Sequence, residues 1–151
     1  WSTVELESPR GGTVKVTAVH AQHGPDGSDE IQGPVLGFVL SAPGTEEIYF
    51  SGDNASRDVV RTIVEKTGEL GIAILNAGAV QLAKFDGAYL TLSADHAADV
   101  ARILGARVVI PLHFEGWAHF TQGPEQLKSA FSGNGLRDRL VMLERGQRAE
   151  V

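Results

Sequence analysis

The chain has 151 residues, with 13 Lys plus Arg against 19 Asp plus Glu, for a formal net charge of −6. This length buries a real core as one domain, and 42% hydrophobic with 21% charged residues is globular composition, which excludes general disorder. The acidic balance excludes a phosphate-neutralising nucleic-acid face, and the absence of cysteine excludes disulfide frameworks, thiolate metal sites and cysteine nucleophiles.

In chain order, Val4 to Glu7 and Thr13 to Val19 read as strands joined by the turn Ser8-Pro9-Arg10-Gly11-Gly12, the second strand with period-2 alternation. His20 to Gly33 reads as a polar loop punctuated by Gly, Pro and Ser. Val35–Leu40 and Glu47–Phe50 are the next strands, the latter stopped by Ser51-Gly52-Asp53-Asn54. Ser56 is the expected N-cap of a helix ending near Gly68, with Val59, Val60, Ile63 and Val64 as its apolar stripe. Ile72–Leu75 is apolar throughout, as a buried strand requires, and Asn76–Gly87 reads as irregular. Ser93–Leu104 is a second helix stopped by Gly105, and Arg107–Ile110 a buried strand cut off by Pro111. Glu125–Phe131 is a third helix, and Arg139–Leu143 with Gln147–Val151 are expected to close the chain as a hairpin. Strands first and then strand–helix alternation give an α/β (α+β) class with helices on at least one sheet face.

No apolar run approaches the about 20 residues of a membrane span. No signal-peptide pattern opens the chain, so a cytoplasmic location is expected. The chain starts at Trp1 and its only Met is Met142, which suggests a piece of something longer.

Polar groups stand just past the ends of the strands: His20 and His23, Asp53, and His113. Loops beyond strand ends are where α/β folds hold reacting groups, and imidazole with carboxylate suits zinc, manganese or iron. Each residue also has a plainer role. His20 and His23 suit solvated loop positions, Asp53 an Asx-turn and His113 a hydrogen-bonded packing histidine. Phe114, Trp117 and Phe120 cluster around His113 in sequence and His119 follows Trp117, either as pocket lining or as packing. No phosphate-cradling glycine pattern and no G-x-S-x-G elbow is present.

Three segments together resemble the metallo-β-lactamase superfamily. Val16-Thr17-Ala18-Val19-His20-Ala21-Gln22-His23-Gly24-Pro25 is similar to its third metal motif. Ile48-Tyr49-Phe50-Ser51-Gly52-Asp53-Asn54 is similar to the fourth, and Val108-Val109-Ile110-Pro111-Leu112-His113-Phe114-Glu115-Gly116-Trp117 to the fifth. The likeness runs from Trp1 to Val151 and is nearest to the lactonase-like and phosphodiesterase-like branch, since β-lactamases proper carry Cys where Asp53 stands. The family's first motif, His-x-His-x-Asp-His, has no match here. The resemblance therefore implies the second half of a four-layer αββα sandwich. It also implies a metal-dependent hydrolase acting on a small molecule with an ester, lactone or phosphodiester bond.

By that resemblance His23, Asp53 and His113 are metal ligands, with Asp53 also catalytic as the carboxylate bridging two divalent ions. Zinc is the first choice, with manganese or iron as alternatives, and the ions are expected to be incomplete or absent in this chain alone. His20, Phe114, Trp117 and His119 are the candidate substrate pocket, and the three ligand positions are expected to converge at one sheet edge. The missing N-terminal half, or a second copy, would be the partner. The alternative is a non-catalytic half-domain that binds a partner or itself.

Overall fold

The structure, a computed structural model, describes residues 1–9 and 11–151; Arg10 of the expected first turn lies outside them. Six strands form one sheet in sequence order: β1 (Ser2–Glu7), β2 (Thr13–Ala21), β3 (Val35–Ser41), β4 (Ile48–Phe50), β5 (Ile72–Asn76) and β6 (Val108–Leu112). β1 to β4 are antiparallel neighbours, whereas β4, β5 and β6 run parallel. Parallel neighbours need a crossover, and α2 (Arg57–Thr67) and α3 (Ala94–Leu104) supply it. A four-residue α1 (Asp29–Gln32) interrupts the loop after β2, and α4 (Pro124–Gly133) follows β6.

Both crossover helices are bounded as the sequence implies. Ser56 accepts from Val59 N–H and Ser93 from His96 N–H, while Gly68 and Gly105 close the far ends. Their apolar stripes and that of α4 fall on one face of the sheet. Val60, Ile63, Val100, Leu104, Leu127 and Phe131 pack there against Val19, Val39, Tyr49, Ala73, Leu75 and Val109. The Tyr49 hydroxyl is sealed in this core without a hydrogen-bond partner, and burial pushes its pKa far above the ordinary phenol value.

The other face carries the alternate residues of the same strands. The register aligns Val4, Val16, Leu40, Ile48, Ile72 and Val108 in one row, and Ala18, Phe38, Phe50, Ile74 and Ile110 in the next. No described helix covers them. Val4, Leu6, Leu36 and Leu112 are exposed, and a shallow groove of about 540 Å³ runs past Val14, Leu40, Ile48 and Ile72. Strands β4 to β6 are therefore apolar on both faces with helices on one.

Three expectations are corrected. β2 continues through His20 and Ala21, so His20 is a strand residue paired with Leu36, and alternation turns it away from the face that holds Val19 and Ala21. Pro111 does not end β6. β6 is an edge strand, so the N–H that proline lacks is not demanded by a neighbour on both sides. The closing hairpin does not form: Leu140 makes a single parallel bridge to Val109, and the chain beyond it carries no strand. No helix among the described residues is long and apolar enough to cross a membrane.

Candidate functional site

β2, β4, β5 and β6 all run in one direction, so their C-terminal ends share one rim of the sheet. Ends of parallel strands are where such sheets present reactive groups. His23, Asp53, Asn76 and His113 stand at this rim.

The turn after β4 is built by close approach. Gly52 has φ 54°, and a Cβ there would lie 2.1 Å from the Leu36 carbonyl oxygen, so only glycine lets the chain double back before Asp53. Ser51 fixes the turn: its N–H donates to Ile74 O at 3.0 Å and its hydroxyl accepts from Asn76 N–H at 2.9 Å. The Asn76 amide then donates from Nδ2 to Asp53 Oδ1 at 2.8 Å.

His113 reaches the same carboxylate from β6. Its Nδ1 lies 3.6 Å from Asp53 Oδ1, beyond hydrogen-bond length, with each side chain about one third exposed. Two ligand atoms of one tetrahedral zinc ion stand roughly 3.4 Å apart, given bonds of about 2.0–2.1 Å. The pair is thus spaced as two donors to a common cation would be. His113 holds a left-handed backbone, φ 57°, which is uncommon for a residue with a side chain. Its carbonyl packs on Gly78, where a Cβ would lie 2.2 Å from that oxygen.

His23 is brought to the rim through its neighbour. Gln22 N–H donates to Asn54 Oδ1 at 3.0 Å and Ala55 N–H to Gln22 O at 2.7 Å, so the chain beside His23 is stitched to the chain beside Asp53. The His23 Nδ1 lies 2.7 Å from the Leu90 carbonyl, which can only accept, so Nδ1–H is the donor and the neutral ring turns its Nε2 lone pair away from that carbonyl. Metal-binding histidines are held in this way. Among the described residues, however, no group of three or more His, Asp or Glu gathers closely enough to hold an ion. The structure brings together Asp53 and His113 and leaves His23 separate.

The four pocket candidates divide. Phe114 packs against the helical core, and His20 remains on β2. Trp117 and His119 stack with ring centroids 5.8 Å apart and planes at 22°. His119 meets Phe120 edge-on at 4.9 Å, and Phe120 meets His113 at 4.8 Å. Sequence reasoning missed Asn76 as part of the site, and it named Phe120 only within the aromatic cluster around His113. Asn76 carried the same signal as Asp53, a polar residue just past an apolar strand.

His96 lies on the helical side. Its ring edge faces Tyr89 at 5.9 Å, its Nδ1 is buried without a partner, and its pKa is lowered by desolvation first and the Arg57 charge second.

A family model described as the beta-lactamase superfamily domain matches residues 1–114. A UPF0173 metal-dependent hydrolase of Solibacter usitatus is 33% identical over 145 residues, covering 93% of this chain and 57% of that protein. One of Rubrobacter xylanophilus is 29% identical over 143 residues, covering 91% and 55%. The chain thus spans somewhat more than half the length of these relatives. Among solved structures, an isothiocyanate hydrolase from Delia radicum gut bacteria aligns with TM-score 0.80 at 16% identity, over 95% of this chain and 56% of that one. Igni18, a metallo hydrolase of Ignicoccus hospitalis, aligns with TM-score 0.71 at 19% identity, over 97% and 56%. At these identities the likeness is one of fold.

Proposed function

Because the chain belongs to the β-lactamase superfamily, we propose that it supplies the second half of the catalytic site of a metal-dependent hydrolase. His23, Asp53 and His113 are the ligands it contributes. The observation that carries this reading is the meeting of Asp53 and His113 at 3.6 Å on the rim where β2 also ends. The donor chemistry fits a divalent ion: two imidazoles and a carboxylate, with zinc first and manganese or iron as alternatives. When bound, one or two such ions supply Lewis acidity and an activated water.

The protein's own residues do the rest. Asn76 fixes the Asp53 carboxylate by donating to Oδ1, so that its other oxygen stays open to a second partner. The Leu90 carbonyl orients His23 and holds its proton on Nδ1. The left-handed backbone at His113 directs that ring toward Asp53 rather than along the strand. The substrate is a small molecule with a hydrolysable ester, lactone or phosphodiester bond, and a cytoplasmic setting belongs to the same proposal. In the full-length protein, Asp53→Ala is expected to lower bound metal, read by elemental analysis, and to cut hydrolysis on the order of a hundredfold or more. Unchanged metal content and unchanged hydrolysis would overturn the reading.

The bare sheet face supports a second element of the proposal. Rows of Val, Ile, Leu and Phe without a covering helix need another layer, because exposed apolar patches of that extent drive association. The other half of a four-layer αββα fold is the proposed cover, consistent with relatives nearly twice as long. The competing reading is a non-catalytic half-domain that pairs with itself through this face. Light scattering on the 151-residue chain and on the full-length protein separates them: association confined to the short chain supports the first, and a face-to-face dimer of the full-length protein supports the second.

A further inference from the structure

We propose that Trp117, His119 and Phe120 form an aromatic wall that selects uncharged ester or lactone substrates bearing a flat apolar group, over phosphodiesters. The inference rests on the hydrolase reading above and narrows its substrate class.

The rings form a ladder that leads outward from the site. Phe120 touches His113 at 4.8 Å, His119 touches Phe120 at 4.9 Å, and Trp117 stacks on His119 at 5.8 Å. The inner end is rooted: Phe120 packs on a small cluster of Val80, Phe85 and Leu90, the residue whose carbonyl holds His23. The outer end is open, since Trp117 is 69% exposed. The loop that carries the rings is pinned at both sides. Thr121 and Gln122 N–H donate to Gly78 O, Thr121 Oγ1 donates to Ala79 O at 2.6 Å, and Arg145 pairs with Glu115 at 2.8 Å. A large aromatic ring fixed by its loop, stacked on one face and free on the other, offers a flat surface to a ligand at little entropic cost.

The side-chain charge of the surrounding loops disfavours an anionic substrate. The rim loops carry Asp26, Asp29, Glu30, Asp53, Asp86 and Glu115. Of the cations beside these loops, Arg57 pairs with Asp99 at 2.6 Å, Arg145 pairs with Glu115 at 2.8 Å, and the Lys84 ammonium lies over the Phe85 ring, 4.8 Å from its centroid. A phosphodiester would thus find both of these guanidinium groups already paired with carboxylates, whereas a neutral carbonyl substrate needs neither. In its hydrolysis, water oxygen bonds to the acyl carbon, the acyl–oxygen bond breaks, and the leaving alcohol oxygen takes up a proton.

The test uses the full-length, metal-loaded protein with p-nitrophenyl benzoate, p-nitrophenyl acetate and bis(p-nitrophenyl) phosphate. The expected order of kcat/KM is benzoate, acetate, phosphate. Trp117→Ala and His119→Ala are expected to raise KM for the benzoate about tenfold with kcat nearly unchanged, and the loss at Trp117 is expected to be rescued in Trp117→Phe. Binding of neutral phenylacetamide, followed by tryptophan fluorescence in the wild type and by calorimetry in the variants, is expected to weaken in parallel without any turnover. A preference for the phosphate would overturn the proposal. So would an unaltered benzoate KM, a lowered melting temperature as the only effect of Trp117→Ala, or no phenylacetamide binding. Metal content in Asp53→Ala reports separately on the hydrolase reading.

Discussion

Asn76 donates to the same Asp53 oxygen that faces His113, so one carboxylate links the ends of all three parallel strands. The amide spans 2.8 Å and the imidazole 3.6 Å, and only the first is a hydrogen bond. Asp53 is therefore aimed by β5 and met by β6.

This arrangement makes Asn76 a positioning residue. Asn76→Ala is expected to weaken metal affinity by about 10–100-fold in the full-length protein. Calorimetric titration of the metal-free protein with zinc measures it. Asn76→Asp is expected to be worse, because a second carboxylate would then oppose the first.

Gly52 and Gly78 are each required by a neighbouring carbonyl. Gly52→Ala must push the Leu36 backbone aside and also hold an unfavourable φ, and Gly78→Ala must displace the His113 carbonyl. Each is expected to cost about 1–3 kcal/mol or more, read as a shift of the urea midpoint.

His96 gives the stability a pH dependence. Its folded pKa is lowered, so below the ordinary value of about 6.5 the unfolded chain takes up a proton that the folded chain resists. Stability from this group is complete above that pH and is lost as pH falls. Arg57 lowers the pKa further while Asp99 and Asp95 oppose it, so desolvation sets the sign. His96→Gln is expected to flatten the change in urea midpoint between pH 7.5 and 5.5.

The bare sheet face gives a solubility test. Leu40→Lys places a charge in the groove beside Ile48 and Ile72. It is expected to reduce dye binding and self-association of the 151-residue chain, and to lower the melting temperature of the full-length protein, in which the proposed second half would cover that face.

The helices were legible because their signals are local. Ser56 and Ser93 as caps, Gly68 and Gly105 as stops, and stripes at helical spacing each lie within a few residues. The end of β4 before Asp53 was legible for the same reason, whereas β2 and β6 each run two residues beyond the ends expected for them. What the sequence could not convey was non-local. Pro111 ends a strand only if hydrogen bonds are needed on both sides, and that depends on β6 being at the edge. Leu140 reads as a hairpin residue, but Val109 takes its pairing. The partners of Asp53 could not be ranked, because Asn76 and His113 stand 23 and 60 residues away and only the parallel register brings them together.

The contact between Gly78 and the His113 carbonyl divides the segment after β6 into two parts with different freedom to vary. Val108 to Leu112 are paired with β5, and an insertion there or a bulkier residue at Gly78 would move the imidazole that follows. From Glu115 to Ala118 the chain is exposed, held by the Arg145–Glu115 pair at one end and, beyond it, by the Gln81 N–H to His119 carbonyl bond and the bonds from Thr121 to Gly78 and Ala79. That short span can change in length and composition while His113 stays where it is. Under the proposed function, drift in the sequence there would alter which molecules are admitted without altering how they are cleaved.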